Sequence, residues 1–403
     1  MIWQKEFGIS NDKNYDYLLA AIVVLVVLGF LFKKPILFIV VGLFTAYLLL
    51  NKFYDKRIGD KLYLENSHRV LRMFPGDELE LTFEFQNRSF FPILNGEFQF
   101  QTEQSIEATK YVESSSKYWN QFSLPLSVVG KGKVTVQLPI KAKQRGTSKI
   151  KNINYKFPHL FNFDSVTLKY NPFYQLEYVV FPEPIQVKGI EAISYVTPGI
   201  QHTNFSPFED VHSPRGTRDY SYSDPFHQIN WKASAKTQEL QTNVYDKVVD
   251  MSYLFIVNLS TKHSLNMLHK DMEKLLSYTA YLCQYATKKG YPFEMVINAR
   301  KPGSTPYMNL PEGEGKAHYV HALEMLARIR SQSMIVPLNQ MLHRVGQTFY
   351  KPKTIILIGQ IPNEVNQIIG KWKQTQKNIF QLEQMEDEAC LKRLVRDVIN
   401  HAN

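Results

Sequence analysis

The sequence predicts three parts in series: a membrane-inserted helical hairpin, a β-sandwich of immunoglobulin-like type, and an α/β domain. Three observations carry this. Two uncharged apolar runs lie between Tyr17 and Leu50. A period-2 alternation of apolar and polar residues recurs from about 60 to 190. From Met251 onward, short apolar runs alternate with helical patterns. The boundaries on this reading are 1–57 for the N-terminal segment, 58–190 for the sandwich, 191–247 for a connecting segment and 248–403 for the α/β domain. Of 403 residues, 44% are hydrophobic and 13% aromatic, which excludes a disordered chain and leaves enough apolar surface for more than one core. Cys283 and Cys390 are the two cysteines, too few for a disulfide framework or a four-thiolate zinc site. Both fall in helix-like stretches and read as buried thiols.

The hairpin comes first. Tyr17–Phe32 and Ile36–Leu50 carry no charge and are separated by Lys33-Lys34-Pro35. Each run is slightly short of the ~20 residues that cross a bilayer core. Flanking aromatics (Tyr15, Phe53, Tyr54) and snorkelling lysines extend both spans. The alternatives are a buried hairpin of a soluble core or a cleaved signal peptide; the start is not basic and no small-residue cleavage site follows. Lys5, Lys13, Lys52, Lys56, Arg57 and Lys61 flank the pair on the outside, against Lys33 and Lys34 in the turn. Positive charge stays inside. The expectation is a cell-membrane protein with two spans, both termini and the soluble domains being cytoplasmic.

The sandwich is legible in its alternation. Leu79, Leu81, Phe83 and Phe85 interleave with Glu78, Glu80, Thr82, Glu84 and Gln86; Val134, Val136, Leu138, Ile140 and Ala142 interleave with Lys133, Gln137, Lys141 and Lys143. Turn clusters such as Pro75-Gly76-Asp77 separate the strands. Between Glu113 and Asp164 there is no acid but nine bases, so much of the net charge of +10 sits here. Lys131, Lys133, Lys141, Lys143 and Arg145 are expected to form a basic face. It is either a solvated face paired with Glu78, Glu80 and Glu84 of a neighbouring strand or a surface apposed to anionic lipid headgroups. Nucleic acid is not expected, since no recognition helix, aromatic platform or zinc knuckle accompanies the charge.

The C-terminal part reads as strand Met251–Asn258, helix His263–Lys289, strand Phe293–Asn298, helices Lys316–Arg330 and Pro337–Arg344, strand Thr354–Ile358, helix Asn363–Lys373, short strand Asn378–Leu382 and closing helix Asp387–His401. Such a parallel sheet places sites at strand carboxyl ends, the first being Asn258-Leu259-Ser260-Thr261-Lys262.

Residues 215–240, RGTRDYSYSDPFHQINWKASAKTQEL, are the most specific stretch. Arg215, Gly216, Arg218, Tyr220, Asp224, Pro225, Ile229, Trp231, Lys232, Ala233, Ala235 and Leu240 follow the pattern of the bacterial domain-of-unknown-function 58 family, which the sequence resembles over nearly its whole length. Ser223 replaces a glycine, His227 stands where an arginine is usual, and Lys236 replaces another arginine. Arg69-Val70, Arg72, Phe74-Pro75-Gly76-Asp77, Arg145-Gly146 and Phe157-Pro158-His159-Leu160-Phe161 extend the match. The resemblance implies a C-terminal fold like the von Willebrand factor type A domain and a MoxR-type AAA+ ATPase as partner. Type A domains bind Mg²⁺ through Asp-x-Ser-x-Ser; Asn258, Ser260 and Lys262 replace a carboxylate by an amide and a hydroxyl by an ammonium, a degenerate site that disfavours metal. No cofactor is expected.

Other constellations are weaker. His318-x-x-His321 lacks a third ligand, and Gly313-x-Gly315 lacks a Gly-Lys-Ser/Thr ending. His202, His212, Asp210, Ser213 and Asp219 supply residue types for a hydrolase triad without a nucleophile elbow. The expectation is a non-enzymatic scaffold or adaptor. Arg215 and Arg218 pair internally with Asp219 and Asp224, while Trp231 and Ile229 fill an interdomain core. The competing uses of Arg215–Lys236 are docking of an acidic partner, with Trp231 and Lys232 as anchor and cation, or an enzyme site acting on an anionic envelope precursor.

Overall fold

A short strand, β1 (Trp3–Phe7), precedes two long helices, α1 (Ser10–Phe32) and α2 (Pro35–Arg57). The computed structural model describes residues 2–8, 10–108, 110–116, 118–162, 164–196, 200–202, 209–250, 252–261, 270–301, 303, 306–349, 353–375, 378–384 and 388–394; within these, the side chains of 10–14, 194–196, 200–202, 209–213, 215, 246–250 and 375 are not described. Each helix has 23 residues, about 34 Å at 1.5 Å per residue, enough for a hydrocarbon core of about 30 Å. Only 6% of each apolar window is buried. A soluble-core hairpin would hide these side chains; here they are displayed. Pro35 at the start of α2 suits a position whose N–H is unneeded, and Phe30 meets Phe38 edge-on across the turn at 5.2 Å.

The chain divides into two units, Met1–Phe181 and Pro182–Asn403, ahead of the 190 read from the sequence. In the first, β1 and the hairpin are followed by β2 (Leu62–Leu64), β3 (Arg69–Met73), β4 (Glu78–Asn87), β5 (Ile93–Glu103), β6 (Ile106–Glu107), β7 (Val112–Ser115), β8 (Trp119–Val128), β9 (Lys133–Ala142), β10 (Gly146–Lys149), β11 (Lys151–Pro158), β12 (Ser165–Tyr170) and β13 (Leu176–Val180). They make sheets ordered β1-β12-β11-β5-β8-β7, β2-β4-β9-β6 and β10-β13-β3. The alternation on β4 and β5 turns Phe83, Phe85, Phe98 and Phe100 into a shared core, with Phe83 to Phe98 at 4.8 Å and Phe85 to Phe98 at 4.9 Å.

The hairpin is built into this unit. β1, in the N-terminal segment 1–57, pairs antiparallel with β12, Trp3 opposite Tyr170 through Phe7 opposite Val166. Trp3 Nε1 donates to the Leu62 carbonyl at 2.8 Å. At the far end of α2, Tyr54 and Ile58 are buried in the core. His159 Nε2 meets Asp55 Oδ1 at 2.8 Å, while the Phe161 and Asn162 N–H groups point at Nδ1. That network leaves Nδ1 as the acceptor and Nε2 as the donor to Asp55. Lys5 Nζ donates to the Asp55 and Lys56 carbonyls at 3.0 and 2.9 Å, a cation on the orphan acceptors of a helix end. Both ends of the hairpin therefore emerge on the side of the sandwich.

The second unit contains β14 (Val187–Lys188), α3 (Ile190–Val196), β15 (Ile200–His202), β16 (Glu209–Asp219), α4 (Trp231–Thr237), β17 (Gln241–Asp250), β18 (Ser252–Val257), α5 (Met272–Lys289), β19 (Phe293–Arg300), β20 (Tyr307–Gly313), α6 (Gly315–Ala327), α7 (Leu338–Gly346), β21 (Lys353–Ile358), α8 (Asn366–Thr375), β22 (Ile379–Gln384) and β23 (Ala389–Arg393). The sheet runs β14-β23-β22-β21-β18-β19-β20, with β22, β21, β18 and β19 parallel. Two readings are corrected. The sheet is not wholly parallel, since β20 and β23 run antiparallel to β19 and β22. Ala389–Arg393 is a strand rather than part of a helix, because β22 and β14 offer it ladders on both sides. Cys283 is buried on α5, and burial pushes its thiol well up; Cys390 lies half-buried on β23, not in a helix.

Candidate functional site

The family-like stretch forms the end of a ribbon in which β16 and β17 run on beyond β15, the third strand of the sheet β15-β17-β16. β16 and β17 pair antiparallel, Arg218 opposite Thr242 and Asp219 opposite Gln241. Asp-Pro at 224–225 cannot continue a strand and opens a turn. Arg218 clamps Asp224 with both fork nitrogens, Nη1 to Oδ2 at 2.8 Å and Nη2 to Oδ1 at 2.7 Å. The Ser221 N–H also donates to Asp224 Oδ2, at 2.9 Å. Asp219 Oδ1 accepts from Gln241 Nε2 at 2.7 Å, and Tyr220 donates to the Asp224 carbonyl at 3.2 Å.

Asn230, absent from the sequence motif, caps α4: its Oδ1 accepts from the Ala233 N–H at 2.9 Å, and its Nδ2 donates to Asn243 Oδ1 at 2.8 Å. An Asn ahead of a short helical run was the available sign. Gln238 closes the helix at φ 65°, and Ile229 is buried beneath it, bridged to Thr242.

The Arg218 fork, with the Ser221 N–H, holds the Asp224 carboxyl below its ordinary value. Because the folded value is lowered, the contribution of the clamp is complete above the ordinary aspartate value of about 3.9 and is lost as pH falls through the lowered one. Arg218→Lys keeps the charge but not the fork. The variant should loosen the turn, with the Ser221 amide resonance moving at a higher pH than in the wild type.

The remaining motif residues do not close over a core. Trp231, at the first turn of α4, is 66% exposed, whereas Ile229 and Ser234 are buried. Tyr222 and Phe226, in the segment before α4, are exposed, as are Pro225, Lys232 and Lys236. Gly216 lies opposite Val244 with open space where a Cβ would be. The side chain of Arg215 is not among those described, nor are those of His202, Asp210, His212 and Ser213. The end is thus pinned from inside by Arg218, Asp224, Asn230 and Ile229, and it presents aromatics and cations outward.

The strand-end residues do different work. β18 is followed by β19 on one side and by β21 on the other, so its carboxyl end is where the connections diverge. There Asn258 Oδ1 accepts from Ser260 Oγ and Asn298 Nδ2, both at 2.7 Å, and from the Ser260 N–H at 3.1 Å. Asn258 Nδ2 donates to the Gln360 carbonyl at 2.5 Å, and Asn298 Oδ1 receives the Leu259 N–H at 2.8 Å. Asn258, Ser260 and Asn298 are all buried. A Cβ on Gly359, at φ 99°, would lie 2.2 Å from the Asn258 carbonyl, so only glycine lets β21 close on this end. Lys262 lies outside the described residues.

An aspartate at 258 would lose the donor to Gln360 and bury a charge. Asn258→Asp should cost about 1–3 kcal/mol in denaturant unfolding. Millimolar Mg²⁺ should leave the wild-type melting point unchanged, whereas a site at 100 times its dissociation constant would add about 2.7 kcal/mol.

The basic residues of the sandwich are interleaved with acids. Lys141 pairs with Glu78 at 3.1 Å, Lys143 with Glu107 at 2.9 Å and Lys151 with Glu103 at 2.9 Å. Lys131 leaves the strand parity: at φ 56° in the β8–β9 turn it lies over the Phe90 ring at 3.9 Å. Lys133 faces Gln86 across the β4–β9 ladder, and Arg145 follows β9 in a turn. His318 Nε2 lies 2.9 Å from the Phe293 carbonyl and its ring packs on Phe293, a local contact.

No family model and no curated protein sequence matches the chain. Solved structures share local likeness only. AvmM, described as catalysing macrocyclization in alchivemycin A biosynthesis, is 8% identical, with 32% of this chain and 93% of that one covered and a TM-score of 0.18. Red sea bream transglutaminase is 15% identical over 30% of this chain and 14% of its own, at 0.15. The sporulation control protein Spo0M of Bacillus subtilis is 11% identical over 36% and 58%, at 0.16. Scores this low carry no argument.

Proposed function

We propose that the chain is a membrane-anchored, non-enzymatic scaffold or adaptor whose ribbon end docks an acidic surface of a MoxR-type AAA+ ATPase, in the assembly or maturation of envelope or membrane complexes. The observation that carries this reading is the exposure of Trp231, Phe226 and Tyr222, together with Lys232 and Lys236, within one internally clamped stretch. Exposed aromatics flanked by cations, pre-ordered at little entropic cost, have the composition of an interface anchor. The identity of the partner rests on the resemblance of residues 215–240 to the domain-of-unknown-function 58 family. In the same reading the sandwich is immunoglobulin-like, the parallel-cored second unit is like a von Willebrand factor type A domain, and the exposed apolar hairpin lies in the cell membrane. A photo-crosslinking residue at 226 or 231 in membranes, with nucleotide present, should capture a nucleotide-binding protein. Adducts at a control position such as 137 but none at 226 or 231 would reject the docking site.

The orientation proposed has both termini and the soluble units in the cytoplasm. Because β1 and β12 share one sheet, a cytoplasm-only reporter should be active when fused at either end of the chain. External protease should spare residues 60–403 in intact cells. Activity at one end alone, or degradation from outside, would reverse the assignment.

A further inference from the structure

The sandwich brings aromatic rings to the far end of α2. Phe91, in the β4–β5 loop, packs on Phe53 at 6.0 Å and on Tyr54 at 5.2 Å, and Phe161, in the β11–β12 loop, meets Tyr54 at 5.5 Å. These contacts fix a level along the helix. Phe53 lies three residues beyond Leu50, the last residue of the apolar run, which is at most about 4.5 Å at 1.5 Å per residue. A bilayer of about 40–45 Å with a hydrocarbon core of about 30 Å leaves about 5–7 Å of headgroup layer on each side. With the hairpin in the membrane, the β4–β5 loop therefore meets α2 within the headgroup layer.

What the loop displays there is a second observation. Phe90 is 79% exposed, and Val129, in the adjoining β8–β9 turn, is 60% exposed. Neither is loosely held. Buried Asn87 ties the two loops together: its Oδ1 accepts from the Ser89 N–H at 2.9 Å, and its Nδ2 donates to the Phe91 and Val129 carbonyls at 2.8 and 3.4 Å. The Lys131 N–H donates to the Ser89 carbonyl at 2.8 Å, and a Cβ on Gly130 would lie 2.2 Å from the Phe90 carbonyl. A backbone held this closely presents its apolar side chains with little freedom left to lose on contact.

Cations rim the pair. Lys131 Nζ lies over the Phe90 ring at 3.9 Å, Arg88 is exposed two residues before Phe90, and Arg57 lies over the Phe53 ring at 5.2 Å. Nearby Asp55 and Asp60 are engaged by His159 and Tyr15 and by Lys5, respectively. Aromatic rings with long cations beside them suit the boundary where hydrocarbon gives way to anionic headgroups.

We propose that the β4–β5 and β8–β9 loops are a second membrane contact: Phe90 and Val129 enter the headgroup layer beside α2, and Arg88 and Lys131 bind anionic headgroups of the same leaflet. The proposal rests on the membrane placement of the hairpin. It assigns the lipid contact of the sandwich to two loop tips rather than to the lysines along β9.

The test places a photo-crosslinking residue at 43, 78 or 90 of the full chain, reconstituted in vesicles of equal parts phosphatidylcholine and phosphatidylglycerol. Lipid adducts are identified by mass spectrometry. Position 43, exposed on α2, reports insertion of the hairpin. Position 78 is at the other end of β4, about 30 Å from Asn87 at 3.4 Å per residue. Adducts are expected at 43 and 90 and not at 78. Those at 90 should favour phosphatidylglycerol about fivefold, the preference that one base near such a surface confers. Arg88→Gln with Lys131→Gln should bring that ratio close to one while adducts at 90 persist. Adducts at 43 without adducts at 90 overturn the loop contact and leave the hairpin in the membrane; absence at both positions overturns both. Equal labelling at 78 and 90, or a lipid ratio that the glutamine variants do not move, also rejects the proposal.

Discussion

Phe83→Ala should destabilise the N-terminal unit by about 3–5 kcal/mol, the usual range for deleting a buried aromatic ring. Phe83 is fully buried on β4 and touches Phe98, Phe100 and Tyr174 at centroid distances of 4.8, 4.9 and 5.6 Å. Those rings come from β5 and from the segment before β13, so one deletion opens a void where the sheets meet. Against a total of about 5–15 kcal/mol, the loss should move the denaturation midpoint of the full chain in micelles by a large fraction. Leu79→Ala on the same strand is the control: Leu79 is 38% exposed, and substitutions at such sites stay within about 0.5–1 kcal/mol. Equal effects at the two positions would mean that Phe83 is not at the centre of the core.

Trp231→Ala should have the opposite profile. With the side chain largely exposed and the clamp made by Arg218, Asp224 and Asn230, the melting point should shift by less than the equivalent of about 0.5 kcal/mol. Capture of the docked partner should fall by about 2 kcal/mol or more, near thirtyfold, if the indole is the anchor. Ile229→Ala separates the roles, since Ile229 is buried under the same turn and its loss, of about 2–4 kcal/mol, should disorder the end and weaken capture indirectly. A large loss of stability with Trp231→Ala would restore a packing role for the indole and remove the basis for docking.

The parts of the fold legible in the sequence are those whose pattern is local. Alternation on Glu78–Asn87 and the continuous apolar runs of β18 and β21 follow from which faces are buried, and each strand carries that record itself. β1 carries almost none: Trp3–Phe7 is five residues ahead of a long apolar run, and its partner β12 lies far along the chain. The segment around Ala389–Arg393 has helical spacing, yet neighbouring ladders win over propensity. At the ribbon end, the residue types announced a pinned turn, and Arg218 with Asp224 obeys them. Which way Trp231 points was not legible, because a tryptophan beside a lysine suits a core edge and a surface anchor equally well. At the strand end, the loss of a carboxylate was plain at Asn258, but its partner Asn298 lies on another strand and has no spacing to reveal it.

The pairing of β1 with β12 also sets a timetable. β1 is synthesised before the hairpin, and β12 only after roughly 160 further residues, a gap of some 8–30 s at about 5–20 residues per second. Throughout that interval Trp3–Phe7 waits with its ladder unmade, and unmade edges recruit whatever strand is nearest. In the proposed orientation, a hairpin inserted early would remove most wrong partners by tethering the waiting strand close to the bilayer. Chains halted before Ser165 should therefore be the aggregation-prone products of this gene, and those halted after Tyr170 should not.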